Sequence, residues 1–471
     1  MYTKKLTLFL VLSLFLFSQC KKDEMAGTGT NPNTGSGGGS NPVTNTGLPT
    51  IVPTGNEKYL NEDSDYIFDQ EVLHTFELII PEDDLAILDA DPAAEEYVEG
   101  MLIFEGDTIS PVGVRYKGSI GAYVNCLSGG DFANPSGFKT CTKLSMKVKI
   151  NWEGRAEKFY KLKKLQFHSQ NNDASQLHDR LGYWLFRKMG VPGPRAVHAK
   201  LMINSNYSGL FSLVEQVDGH FVKYNFDDDE GNLYKEVWPL NMNGNAHNKQ
   251  TYLDGLKTNE DENPSVDIIK NFAESIANAP QENIPNIIQQ SMDIDEIMSY
   301  IAVDRTIRHD DGPFHWYCNG NNGCSSHNFY WYEEPTSEEL HLIPWDLDNA
   351  FDNIIFQANP VTPIADAWGE SSNNCEPFSH GFWGLQQWSA KCDKLTGGWT
   401  TFTQEFEDKK AALINGPMSE TQTDELLDAW SEQIHEATIE AADTHNDAIS
   451  LSEWENAVQN LKSQLNFARD N

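Results

Sequence analysis

The apolar residues change period part-way along the chain, and that switch limits the fold more than any single motif. Leu144, Met146, Val148 and Ile150 alternate with Ser145, Lys147 and Lys149, the period of a strand with one buried face. Val72 to Ile80 and Met101 to Gly118 have the apolar and β-branched character of strands, and Ala196 to Ile203 and Gly209 to Glu215 read as two more, joined by a turn at Asn204-Ser205-Asn206. A helix is expected from Ala174 to Met189, with Leu177, Leu181, Trp184 and Leu185 on one face and a stop at Gly190 and Pro192. From residue 264 to Arg308 the spacing becomes helical, through Ile268, Ile269, Phe272 and Ile276 and then Ile297, Tyr300 and Ile301. A hairpin over Asn328–Tyr332 and Glu339–Trp345 and helices over 401–469 complete the pattern. The expected fold class is α+β in two lobes, a mixed-sheet lobe over about 56–240 and a mainly helical lobe over 241–471.

The first twenty residues say where such a chain works. Lys4 and Lys5 precede an apolar run from Leu6 to Phe17 and then Ser18-Gln19-Cys20, which is the build of a signal peptide. The run is too short to cross a hydrocarbon core of about 30 Å as a mature helix. A cysteine at this position resembles the lipidation site of bacterial lipoproteins, so Cys20 is expected to carry the lipid. Residues 21–55, with GTGTNPNTGSGGGSNP (27–42) at their centre, bury too little to order themselves and read as a flexible tether. The expectation is an exported chain, lipid-anchored to a bacterial membrane, with the outer-membrane cell surface as one candidate and the lipid as its only membrane contact.

Seventy acidic against 34 basic residues leave a formal charge of -36, which repels DNA or RNA and argues against nucleic-acid binding. Twelve tryptophans and 24 phenylalanines supply ample core. Of seven cysteines, six follow Cys20. In an oxidising compartment, neighbours in sequence close the shortest loops, so the expected disulfides are Cys126 with Cys141, Cys318 with Cys324 and Cys375 with Cys392. None of the six has the CxxC spacing of a zinc or redox site. Residues 443–455 contain several acids but miss the register and central glycine of a calcium loop, and read as a helix N-terminus.

The chemistry-bearing residues follow one another along one stretch. IPWDLDNAF (343–351) ends an expected strand with Asp346 and Asp348 spaced i, i+2, a pair able to offer hard oxygens to Mg²⁺ or Ca²⁺. By spacing alone such a pair is more often a turn or cap. Upstream, RHDDGPFHWY (308–317) follows a helix and SHNFYWY (326–332) opens the hairpin, so the chain delivers Asp311, Asn328 and Asp346 in order. Protein kinases use that order: an Asp that accepts the hydroxyl proton, then an Asn and an Asp that hold two Mg²⁺ ions.

Six segments taken in order, GVRYKGSIG (113–121), KLSMKVKI (143–150), DASQLHDRLGYWLFRKMGVP (173–192), NSNYSGLFSLVEQVDGHFV (204–222), GNLYK (231–235) and IPWDLDNAF, resemble the CotH spore-coat family of atypical protein kinases. The resemblance spans roughly residues 72–355. It implies a protein-kinase-like fold without GxGxxG, His-Arg-Asp or Asp-Phe-Gly, all of which this chain lacks. It also implies an ATP-dependent phosphotransferase that uses Mg²⁺ or Mn²⁺ and acts on Ser or Thr of a protein. Carried over residue by residue, Lys147 resembles the strand lysine that holds the phosphates, with Lys143 and Lys149 as rivals on the same face. Glu215 resembles the linker position beside the adenine. Asp311 resembles the catalytic base, with Asp310 as its rival, and Asn328, Asp346 and Asp348 resemble the metal ligands. Seventeen positions separate Asp311 from Asn328, where kinase catalytic loops have about five, and CNGNNGC (318–324) reads as a disulfide-closed insertion between them. Two other classes of function compete: a non-catalytic cell-surface module that keeps the fold, and an Asp pair that binds Ca²⁺ structurally.

Overall fold

Two tight turns set the register of the first sheet. Glu105 and Gly106 both have positive φ (50° and 87°), as do Asn204 and Ser205 (49° and 63°), and two successive left-handed residues match the twist of a hairpin. The first turn splits the expected Met101–Gly118 strand in two, because the chain must reverse where those two residues leave the extended region. In the computed structural model, residues 58–119, 121–131, 134–154, 157–319, 323–355, 375–380 and 385–471 are described. Cys20, the signal segment and the whole of the tether lie outside them.

Seven strands form a closed barrel: β1 (His74–Ile79), β2 (Val98–Phe104), β3 (Asp107–Tyr116), β4 (Met146–Lys149), β5 (Lys164–His168), β6 (Ala196–Ile203) and β7 (Asn206–Val214), in the order β1-β2-β3-β4-β5-β7-β6. The parallel pairing of β1 with β6 closes it; the other pairs are antiparallel. The alternation places Met146 and Val148 in the barrel core beside Leu165, Phe167, Phe76 and Phe104, and so turns Lys147, Gln166 and His168 to the outer face. Helix α1 (Lys58–Asn61) precedes β1, α2 (Glu82–Ala90) lies between β1 and β2, and α3 (His178–Lys188) touches β6 and β7.

The second core joins α3 to the elements C-terminal to the barrel. Its helices are α4 (Gly219–Asn225), α5 (Lys249–Asp254), α6 (Asp267–Asn278), α7 (Ile284–Ser291), α8 (Ile294–Ile307), α9 (Lys394–Trp399), α10 (Thr403–Asn415), α11 (Glu420–Thr444) and α12 (Leu451–Asp470). Strand β8 (Leu233–Lys235) precedes the boundary expected near residue 240, yet it pairs with β11 (Phe329–Glu334), which pairs with β12 (Glu339–Pro344). Sheet pairing, invisible to local periodicity, assigns it to the second core. A further sheet runs β10 (Gly323–Ser325), β9 (His315–Asn319), β14 (Leu385–Ser389), β13 (Phe378–His380). The architecture is therefore α+β with a large mixed sheet. All three expected disulfides form, and residues 443–455 start a helix whose Ser450 and Glu453 make a reciprocal capping box. Among the described residues, no helix is long and apolar enough to cross a membrane.

Arg180 of α3 ties the parts together. Fully buried, it donates to the Gln70 carbonyl (2.7 Å), to Gln433 of α11 (2.8 Å) and towards His198 of β6 (3.0 Å), with its guanidinium over the Trp430 ring. Replacing it would strand several buried acceptors at once.

Candidate active site

The insertion between Asp311 and Asn328 is a small hairpin, β9–β10, whose cross-strand neighbours Cys318 and Cys324 are disulfide-bonded. It leaves and returns at nearly the same place. Asn328 Nδ2 consequently donates to both the Asp311 carbonyl (3.0 Å) and the Asp311 carboxylate (2.9 Å), and seventeen intervening positions cost the pair nothing in geometry. His327 Nε2 lies 2.8 Å from the other Asp311 oxygen. Burial pushes the Asp311 carboxyl up, but the His327 charge and hydrogen bond outweigh it and hold the group below its ordinary value. Asp311 is thus an oriented carboxylate, ionised at neutral pH.

Its rival behaves differently. Asp310 is completely buried, accepts from Asn353 Nδ2, and is pushed up to about 7 by burial, against the opposing pull of Arg308 and Arg305. Asp311, and not Asp310, faces the other acids, because its charge acts on both Asp346 and Asp348.

Those two leave the end of β12 on a segment pinned from both sides. The Asp346 N–H donates to the Tyr183 hydroxyl (2.9 Å), and the Asp346 carbonyl meets His309 Nε2 at 3.0 Å. Leu347 packs on Gly182 of α3, where an added Cβ would come within 2.6 Å of the Leu347 Cδ1. Only glycine lets the strand end approach that closely. Asp346 itself has φ 55°, Asn328 φ 61° and Arg308 φ 53°, so three left-handed residues other than glycine surround one spot.

Burial raises both carboxyls. Asp348 is held well above the usual range by burial, then by Asp346 and Asp179; Asp346 is raised by burial against the charges of His168 and Lys117. Asp348 accepts from Asn172 (3.3 Å) and Asn349 (3.0 Å).

A cationic relay supports the acids from the barrel side. Lys117, just past β3, meets His168 Nε2 at 2.8 Å, and His168 Nδ1 meets Asp179 of α3 at 3.1 Å. The Lys117 ammonium also lies over the Trp345 ring. Strand, helix and the Trp-Asp-Leu-Asp segment therefore converge on one place. Lys117, His168, Asp179 and His327 were missed in the sequence. The signal for Lys117 was its place in GVRYKGSIG and that for Asp179 its place in QLHDRLGY, but only folding brings them together.

The expected lysines and Glu215 lie on or just beside the barrel strands. Lys147 is buried on the outer barrel face, opposite Arg115 on β3 and Gln166 on β5. Lys143 precedes β4 and donates to the Leu210 carbonyl (2.8 Å), with burial pushing it down to about 8. Lys149 lies over the Tyr97 and Trp152 rings. Glu215 is buried and holds Arg195 in a two-point pair, at 3.0 Å to Nε and 2.6 Å to an Nη, which commits both its oxygens.

By chemistry the donor set, oxygen alone, suits a hard divalent cation, although among the described residues no three of these acids have ligand atoms within 4.8 Å of one another. Asp346 and Asp348 repel each other in a buried setting, and one carboxylate oxygen of Asp179 is buried without a hydrogen-bond partner among the described residues. The Asn328 amide nitrogen is taken by Asp311, which turns its carbonyl oxygen away as a further donor. Oxygen-only sets of this kind suit Mg²⁺ or Mn²⁺.

No curated protein matches the chain. A family model described as CotH kinase protein matches residues 114–470.

Proposed function

Because the chain belongs to the CotH kinase family, we propose that it is an ATP-dependent phosphotransferase that phosphorylates Ser or Thr of a protein, with its barrel and its second core acting as the two lobes of a kinase-like fold. The observation that carries this reading is the meeting of Asp311–Asn328 with Asp346 and Asp348 beside the Lys117–His168–Asp179 relay, since it draws members from both cores.

In this reading Asn328, Asp346 and Asp348 hold the metal. Mg²⁺ or Mn²⁺, when bound, would neutralise charge on the phosphates and on the phosphoryl group in transfer. Lys117 is the cation best placed to meet a phosphate, and its ammonium is steadied by His168 and the Trp345 ring. Lys147 remains a second candidate on the same barrel face. Asp311, kept ionised by His327 and oriented by Asn328, accepts a hydrogen bond from the acceptor hydroxyl and takes its proton as the phosphoryl group arrives. Glu215, locked to Arg195, serves as a rigid strand end beside the nucleotide rather than as a side-chain contact.

The same proposal has the chain exported and anchored through lipid on Cys20. The three disulfides between near neighbours favour an oxidising compartment.

The test is transfer from radiolabelled ATP to casein or another generic protein acceptor by the disulfide-intact protein, with Mg²⁺ or Mn²⁺, and then identification of the labelled residue. Metal-dependent phosphoserine or phosphothreonine, lost in Asp311→Asn, is expected. Absence of label with every metal and acceptor, together with stabilisation by Ca²⁺ alone, would point to a non-catalytic surface module.

A further inference from the structure

We propose that the turn end of the β11–β12 hairpin is a second, separate metal site, formed by Glu334, Glu339 and His341 with Glu296 orienting the imidazole, and that it takes Zn²⁺ or a similar borderline divalent cation. Ligand atoms of the three residues lie within 4.8 Å of one another. The ladder dictates this: Glu334 stands directly opposite Glu339, and His341 comes two residues after Glu339 on the same face. Like charges directly opposite in an antiparallel pair repel. Glu334 is met by neutral hydrogen-bond donors, the Ser337 hydroxyl (2.7 Å) and the Asp228 N–H (3.3 Å).

The imidazole supplies the independent observation. His341 is 7 % exposed, and its Nδ1 lies 3.0 and 3.2 Å from the two oxygens of Glu296 on α8. That contact fixes a proton on Nδ1, so the lone pair of the neutral ring is on Nε2. Burial pushes the imidazole down, but the Glu296 hydrogen bond and charge outweigh it and raise it, so a metal has a proton to displace there. Nε2 is buried and has no hydrogen-bond partner among the described residues. A carboxylate behind one ring nitrogen and an unmet lone pair on the other is how metal-binding histidines are held. The ring is flanked by Phe226 and Tyr332, with centroids 4.8 and 6.4 Å away, so it has little freedom to turn elsewhere.

One nitrogen and two carboxylates suit Zn²⁺ better than Mg²⁺ or Ca²⁺, which favour oxygen alone. The six-residue rise along β11 from Asn328 to Glu334 puts this place roughly 20 Å from the candidate active site. The two sites can therefore be loaded and mutated independently.

The experiment titrates chelator-stripped full-length protein carrying Asp346→Asn and Asp348→Asn, so that the other acids do not compete, with Zn²⁺ by calorimetry and with Co²⁺ by visible absorption. One Zn²⁺ per chain and a Co²⁺ band are expected. Glu339→Gln, on a half-exposed strand end where folding is safe, and His341→Gln should each weaken Zn²⁺ by about 100-fold, and Glu296→Gln by about 10-fold. No binding at about 100 µM Zn²⁺, the outcome if a water satisfies Nε2, would overturn the proposal. So would binding unchanged by Glu339→Gln and His341→Gln.

Discussion

At its open end the β11–β12 hairpin delivers Asn328 and Asp346 into a group of acids that includes Asp311, Asp348 and Asp179, with Lys117, His168 and His327 around them. At its turn end the same two strands bring Glu334, Glu339 and His341 together with Glu296 behind. Both ends put like charges side by side. They differ in the atoms left over once hydrogen bonds are counted: carboxylate and amide oxygens at the open end, and an imidazole nitrogen with two carboxylates at the turn. What a cluster of acids can bind is thus set less by its acids than by the neighbours that occupy part of their capacity. Asn328 spends its nitrogen on Asp311, and His341 spends Nδ1 on Glu296.

The largest effect should come from Asp346→Asn, which removes a carboxylate from the open end alone. Phosphoryl transfer is expected to fall by about 10³-fold in initial-rate assays while Zn²⁺ affinity at the turn end stays unchanged. Coupled loss at both ends would show that the two are not independent. Next, Lys117→Met should lower kcat/KM by about 10²-fold, and Lys147→Met by less. A larger loss at Lys147 would return the phosphate-binding role to the strand lysine.

Opening the β9–β10 loop with Cys318→Ser and Cys324→Ser should cost about 2 kcal/mol of stability in denaturant unfolding. It should also slow transfer by about tenfold, because the return of Asn328 to Asp311 depends on that closure. Full activity in the open-loop variant would mean that packing alone holds the pair.

The smallest effect concerns pH. Asp310 titrates at about 7 in the folded protein, well above an unfolded carboxylate near ~4. The neutral acid is the form the fold prefers, so its contribution is fully present below pH ~4 and is lost as pH rises through about 7. Asp310→Asn should therefore flatten the fall in stability between about pH 4 and 7, as read from unfolding midpoints. An unchanged slope would assign the dependence to Asp348 or Asp346.

Much of this architecture is legible in the sequence because it is local. Period-two alternation placed β4, turn residues placed the β6–β7 hairpin, and loop length selected the disulfide partners. The order Asp311, Asn328, Asp346 was also readable, and the structure brings the first two into direct contact across the insertion. What stayed hidden was non-local. Barrel closure rests on the parallel β1–β6 pair, far apart in sequence. Alternation says which face Lys147 occupies but not what lies opposite, so nothing local favoured Lys117, whose partner His168 is 51 positions away. Glu339 and His341 look like an ordinary solvated strand end until α8 puts Glu296 against the imidazole.

The claim on which the rest depends is that the open end of the hairpin holds metal-bound ATP. Thermal unfolding of the disulfide-intact protein with ATP, with and without Mg²⁺, tests it without knowledge of the acceptor. A ligand that binds only the folded state at about 100 times its Kd stabilises by about 2.7 kcal/mol, a shift of a few degrees in Tm. The account predicts that shift only when ATP and Mg²⁺ are present together, and its loss in Asp346→Asn. An equal shift in the variant, or none in the wild-type protein at millimolar ATP and Mg²⁺, would contradict it.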